Sequence, residues 1–270
     1  MKRILLTLTF LLCFLAADGQ KKVVFMPQWI PQSQFAGYYL ALEKGFYAEE
    51  GLDVEIRHIT GLGTDVPEDH LVQDEVQIAG MQFLQALLYQ AGGAELVNVL
   101  QVTQNTGLAC VSQQEIASLH DLDGKRVGRW LKGYSEICGI IEREENIFFE
   151  WVPFKRGINL FIYGAVDATL CYTYSELLLL EQSRGRIPES HIYRFADSMI
   201  DFPEDGLYVT RSYYDKNKET VDAFVRASVK GWNYAREHRD EAVASCRKYL
   251  KAAGIKTNDS FQKLMLDAYL

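Results

Sequence analysis

The chain has 270 residues, with 28 Lys and Arg against 36 Asp and Glu, a formal charge of −8. That acidic balance argues against holding nucleic acid or an anionic membrane by bulk electrostatics. The length suits one large domain or two lobes of ordinary size.

The N-terminus reads as a secretory signal over residues 1–20. Lys2 and Arg3 form a basic start, Ile4 to Ala16 an apolar run, and Ala16-Ala17-Asp18-Gly19 a small-residue cleavage zone. The apolar run is short for a bilayer span. Leu12 stands before Cys13, where lipidation needs a small residue, so the expected product is a soluble exported protein in the periplasm. Cys110, Cys138, Cys171 and Cys246 remain, widely spaced, and their spacing leaves disulfides and buried thiols equally open.

Strand-like and helix-like segments then alternate, which predicts an α/β fold with largely parallel sheets. Strands are expected at Val23–Met26, Asp53–Ile59, Leu96–Val102, Leu108–Ser112 and Arg126–Gly128, and again at Glu150–Pro153, Ala168–Tyr172, His191–Phe195 and Leu207–Thr210. Helices are expected over Ala36–Glu50, Gln82–Ala91, Tyr134–Glu145, Ile158–Tyr163, Ser175–Arg184 and Lys218–Ala253, the last broken within Glu237–Glu241. Two polar stretches, residues 102–107 and 201–206, read either as ordinary surface turns or as crossovers between lobes, and paired crossovers form hinges. Asn105 and Asp205 lie on them.

Several strand-to-helix turns carry side chains suited to a small ligand. At the first, Trp29, Phe35 and Tyr38 supply ring faces and Gln32 and Gln34 supply amides, a mix that fits a neutral or weakly charged ring. Here core packing of Trp29 and Phe35 is an equal alternative. Gln82 stands where a short strand gives way to a helix, whose free N–H groups bind polar atoms. Residues 128–136 run from strand to helix through Arg129, Trp130, Lys132, Gly133, Tyr134 and Ser135, a loose glycine pattern without P-loop spacing. Tyr172 and Tyr174 fall on one side of a strand, and Glu176 joins them if the strand continues; otherwise it opens the next helix. The five histidines, His58, His70, His120, His191 and His238, are scattered without metal-ligand spacing, and no Gly-x-Ser-x-Gly elbow occurs. No enzyme activity, cofactor or metal is expected.

Gln28–Ile56, then Val152-Pro153-Phe154, Gly164-Ala165-Val166-Asp167-Ala168 and Phe202-Pro203-Glu204-Asp205-Gly206-Leu207-Tyr208, resemble in order the ABC-transporter substrate-binding proteins related to the pyrimidine-precursor binders of thiamine salvage and to alkanesulfonate binders. The resemblance implies a type II periplasmic-binding fold: lobe 1 from residues 21–103 plus 206–270, lobe 2 from 104–205, and a ligand cleft between. It implies a monomer that hands a small aromatic or heterocyclic metabolite, such as a thiamine pyrimidine precursor, to an ABC permease of the inner membrane. A ligand-sensing role beside a membrane signalling partner is the alternative. Pyrimidine-handling members carry Trp-x-Pro-Asn followed by a histidine. Here Trp29-Ile30-Pro31-Gln32 and Gln34-Phe35 stand instead, and the cysteine-rich motif of the pyrimidine-synthase branch is missing.

Overall fold

The computed structural model describes residues 19–60, 65–131, 134–155 and 157–270, so the expected signal segment lies outside the described residues except for Gly19 and Gln20. The first elements are β1 (Lys21–Met26), α1 (Ala36–Glu43), α2 (Phe46–Glu49), β2 (Leu52–Ile56), α3 (Pro67–Val72), β3 (Ile78–Gln82), α4 (Phe83–Ala91) and β4 (Leu96–Gln101). Next come β5 (Leu108–Ser112), β6 (Arg126–Trp130), α5 (Ser135–Glu145), β7 (Glu150–Phe154), α6 (Asn159–Ile162), β8 (Ala168–Tyr172), α7 (Glu176–Arg184) and β9 (Ile192–Arg194). The chain then returns through β10 (Asp205–Thr210) and ends in α8 (Arg211–Glu237), α9 (Arg239–Ala252) and α10 (Asp259–Tyr269).

These strands form two five-stranded sheets. The first has the order β2-β1-β3-β10-β4 and the second β7-β6-β8-β5-β9. β1 pairs in parallel with β2 and β3, and β6 with β7 and β8. β10 runs antiparallel between β3 and β4, and β5 antiparallel between β8 and β9. Each sheet therefore takes in one antiparallel interior strand directly after a crossover.

The crossovers lie side by side and are tied by side chains. Asn105 Nδ2 and the Thr106 N–H donate to Asp201, at 2.7 and 2.8 Å. Thr103 Oγ1 accepts from the N–H groups of Glu204 and Asp205, at 3.2 and 2.8 Å. The Thr106 hydroxyl and the Gly107 N–H donate to the Glu204 carboxyl.

Apolar alternation explains the burial. In β1, Val23 and Phe25 enter the core of the first lobe beside Tyr39, Ile78, Leu207 and Phe224. The second lobe gathers Val127, Ile141, Phe149, Leu170 and Phe195. α8 lies close on α1 because Gly231 sits against the Gly37 backbone and Gly37 beneath the Trp232 ring. A Cβ on Gly231 would stand 2.2 Å from the Gly37 carbonyl oxygen, and one on Gly37 would fall on the Trp232 ring.

Several expectations are corrected. The single helix expected over Ala36–Glu50 breaks at Gly45, whose φ of 76° only glycine adopts freely. β3 runs through Gln82, so α4 starts one residue later than expected. Asp205 opens β10 and belongs to the first sheet, one residue before the expected return at 206. α3 and α10 were not expected from the sequence. The four cysteines are buried free thiols. Among the described residues no helix is long and apolar enough to cross a membrane.

The Gly231–Gly37 contact makes a stability prediction. Gly231→Ala should lower stability by about 1–3 kcal/mol, the usual cost of overpacking a tight contact, read as a shifted urea midpoint with an unchanged slope. An unchanged midpoint would show that α8 has room to move away from α1.

Candidate functional site

Six side chains close the cleft between the sheets. From the first lobe come Gln34, in the single 3₁₀ turn before α1, Gln82 at the end of β3, and Asp205 at the start of β10. From the second come Tyr172 at the end of β8, Tyr174 two residues on, and Tyr134 just before α5. Gln82 Nε2 donates across the cleft to the hydroxyls of Tyr172 (2.6 Å) and Tyr134 (3.1 Å), and the Tyr134 hydroxyl donates to that of Tyr172 (3.0 Å). Gln34 Nε2 donates to the Tyr174 hydroxyl (3.2 Å) and to Asp205 Oδ2. The Gln34 carbonyl accepts from Gln32 Nε2, which leaves its amide N–H groups for the acid and the phenol. Tyr269, on α10, donates to the same Asp205 oxygen at 2.7 Å.

Rings line this polar seam. Trp130 lies 4.4 Å from Tyr134 and 5.4 Å from Tyr172, and Tyr172 stacks on Tyr174 at 5.2 Å. Tyr174 meets Tyr269 edge-on at 5.2 Å, and Tyr269 reaches Trp232 at 5.5 Å. The row thus runs from one lobe to the other. Gly107 lets Tyr174 lie against the first crossover, since a Cβ there would stand 2.9 Å from the ring.

The electrostatics are one-sided. Glu204 and Asp205 are adjacent and buried, at 2% and 5% exposure. Burial pushes the Glu204 carboxyl up to about 8, helped by the neighbouring Asp205. Burial also raises Asp205, against the lowering effect of its bonds from Gln34 and Tyr269. The phenols of Tyr134, Tyr172, Tyr174 and Tyr269 are pushed up by the same desolvation and stay neutral. Among the described residues, neither acid pairs with a Lys, Arg or His.

The remaining candidates make their contacts within one lobe or at the crossover. Phe35 is a core residue, 1% exposed, 5.5 Å from the His58 ring, because the 3₁₀ turn points it under α1. Tyr38 packs between Phe25 and Trp232 in the first lobe. The Trp29 ring stays on first-lobe clusters, while its carbonyl accepts from His58 Nδ1 at 2.7 Å. Asn105 serves the crossover, and Ser135 is exposed. β8 ends at Tyr172, so Glu176 opens α7 and turns back to accept from the Tyr172 N–H at 3.1 Å; the strand does not carry it toward the cleft. Lys132 and Gly133 lie outside the described residues.

Glu204, Tyr269 and Trp232 were not expected from the sequence. Phe202-Pro203-Glu204-Asp205-Gly206 reads as an exposed turn, and only the apolar run Leu207-Tyr208-Val209 after it hints that the acids enter the interior. For Tyr269 a signal was present: Phe261, Met265 and Tyr269 recur at helical spacing, and α10 places Phe261 and Met265 in the apolar cluster of the second lobe.

Comparison with known proteins agrees with this architecture. Residues 32–242 match the family described as "NMT1/THI5 like". The riboflavin-binding protein RibY of Chloroflexus aurantiacus is 25% identical over 244 residues, covering 86% of this chain and 68% of RibY. The formylaminopyrimidine-binding protein of Halalkalibacterium halodurans is 26% identical over 237 residues, 84% of this chain and 70% of that protein. Among solved structures, the periplasmic aliphatic sulphonate binding protein SsuA of Escherichia coli superposes with a TM-score of 0.69 at 16% identity, over 92% of this chain and 83% of SsuA. The periplasmic nitrate-binding protein NrtA of Synechocystis superposes with a TM-score of 0.62 at 17% identity, over 89% and 68%. The two-lobed fold is that of these periplasmic binding proteins.

The Glu204 shift has a sign that can be measured. In the unfolded chain this carboxyl ionises near its ordinary 4.5; in the folded protein it keeps its proton up to about 8. Between those values the folded state holds more protons, so this contribution is complete below 4.5 and is lost as pH rises toward 8. Glu204→Gln should therefore gain stability relative to the wild type as pH rises from about 4.5 to about 8, read by urea unfolding. A constant difference across that range would mean that Glu204 ionises normally.

Proposed function

The chain belongs to the NMT1/THI5-like family, and from that premise we propose that it is the solute-binding component of an ABC-type importer. In this reading it works outside the cytoplasmic membrane, captures a small aromatic or heterocyclic metabolite, and delivers it to a permease. The observation that carries the reading is the seam itself. Gln34, Gln82 and Asp205 of one lobe bond directly to, or lie against, Tyr172, Tyr174 and Tyr134 of the other. Groups that bond each other in the closed form are free to bond a guest when the lobes part, and hinge closure of this kind is how two-lobed binders work.

The lining favours a flat ring. Phenol and indole faces stack on planar π-systems, and the amides offer both donors and acceptors to a ring edge. A sulfonate or nitrate calls for cationic or N–H-rich surroundings, whereas this cleft presents carboxyls and phenols. The formylaminopyrimidine and riboflavin named for two relatives are both nitrogen heterocycles, and that is the class proposed here.

Capture without chemistry is supported by where the reactive side chains sit. His58 is held between the Trp29 carbonyl and the Tyr39 hydroxyl in the first lobe, and burial drops its imidazole to about 4. The thiols of Cys110, Cys138 and Cys246 are pushed up to about 12 by burial. A neutral, fully bonded imidazole and protonated thiols make poor catalysts.

A thermal-shift panel of aminopyrimidines, flavins, alkanesulfonates and nitrate tests the reading. Flat nitrogen rings should raise the unfolding midpoint by mass action, and Tyr174→Ala should weaken their binding roughly tenfold, about 1.4 kcal/mol. Stabilisation by the anions alone, or full affinity in Tyr174→Ala, would place the ligand elsewhere.

A further inference from the structure

Glu204 and Asp205 follow one another in the chain yet differ in what occupies them. Both Glu204 oxygens are used at the crossover, Oε1 by the Thr106 hydroxyl and Oε2 by the Gly107 N–H at 3.2 Å. Asp205 Oδ2 accepts from Gln34 and Tyr269. Asp205 Oδ1 is buried and has no hydrogen-bond partner. Gln28 Nε2, from the loop after β1, is also buried without a partner, although the Gln28 amide lies close enough to Asp205 to influence its ionisation.

The groups facing the pair are Tyr134, Tyr172 and Tyr174 from the second lobe, Tyr269 of α10, Tyr38 of α1, and, through Tyr134, Glu176 of α7. Five are neutral phenols and the sixth is another acid. Among the described residues no cation takes part. A buried carboxyl without a counter-charge either keeps its proton or leaves a large desolvation cost unmet. Two adjacent ones cannot both ionise cheaply. Asp205 Oδ1 is thus a buried acceptor with only the neutral Gln28 amide near it, and no cation to match its charge.

We propose that the cleft selects a positively charged ring ligand, one of whose N–H groups donates to Asp205 Oδ1 and supplies the counter-ion that the Glu204–Asp205 pair lacks. This deepens the ring-binding reading and rests on it. Tyr134, Tyr172 and Tyr174 hold the ring, and Asp205 reads its charge. A neutral ring of the same shape stacks equally well and leaves the acid pair uncompensated. An anionic ligand adds a third negative charge to the same enclosed space. Charge-assisted bonds of this kind are about twice as strong as neutral ones, so the preference for charge should be large and should vanish with the carboxylate.

Benzamidine and benzamide test this, because they share a planar frame and differ in charge, and benzamidine stays cationic through neutral and mildly alkaline pH. Binding of each is followed by tryptophan fluorescence and by the unfolding midpoint, in the full chain and in Asp205→Asn. Asn keeps an acceptor for Gln34 and Tyr269, and circular dichroism checks its fold. At about pH 8.5 the wild type should bind benzamidine at least about tenfold tighter than benzamide. The ratio should shrink as pH falls and the raised carboxyls of the pair take up protons, and should fall to near one in Asp205→Asn. Glu204→Gln should keep most of the preference, since the ligand bond is made to Asp205, and a Gln still offers an acceptor to Thr106, Gly107 and Tyr172. Equal binding of the two probes, or a preference that survives Asp205→Asn, overturns the inference and leaves ring capture standing. If neither probe binds while neutral rings of the wider panel do, the inference again fails alone. If no ring binds at all, both readings fall together.

Discussion

The Glu204 carboxyl sits where the chain returns to its first sheet, and it accepts from Thr106 and Gly107 of the outgoing crossover. That contact joins the two passages between lobes at one buried point. It also places Asp205 as the first residue of β10, paired in register with Gln82 of β3. Gln82 and Asp205, the two first-sheet groups that face the second lobe, therefore owe their positions to one piece of backbone. Gln34 and Tyr269 then converge on Asp205 from the start of α1 and the end of α10. A seam between lobes needs such convergence, because elements remote in sequence must present atoms to the same few ångströms.

Burying two carboxyls together is costly, and the fold offsets part of that cost with hydroxyl and amide donors rather than with cations. An ion pair would have neutralised the acids internally and left nothing for a guest. Neutral donors hold the carboxyls in place, and without a counter-charge burial favours their protonated forms. On the proposed reading the arrangement gives up stability for a binding site, the usual relation between function and local destabilisation.

Much of the architecture was legible in the sequence, because apolar runs and glycine punctuation record the strands and crossovers directly. The alternation through Ala168–Tyr172 and the polar passages near 102–107 and 201–206 could be read without coordinates. Residue roles were less legible. Phe35 and Tyr38 look like ligand contacts by composition, yet the 3₁₀ turn at Ser33–Phe35 sends one beneath α1, and packing against Trp232 fixes the other in the core. Glu176 depended on whether a strand ran two residues further, and it does not. Tyr269 lies at the far end of the chain from Gln34, and only tertiary packing brings them to one carboxylate. Periodicity reports which face of an element is buried; it does not report what lies opposite.

The central claim is that a planar ring binds between the lobes on the tyrosine row. Intermolecular nuclear Overhauser contacts from the protons of a bound aminopyrimidine or flavin test this most directly. The account predicts contacts to the ring protons of Tyr172, Tyr174 and Trp130, from both sides of the cleft. Contacts confined to Phe35 and the Trp29 ring, or to the outer helices α8 and α9, would contradict it.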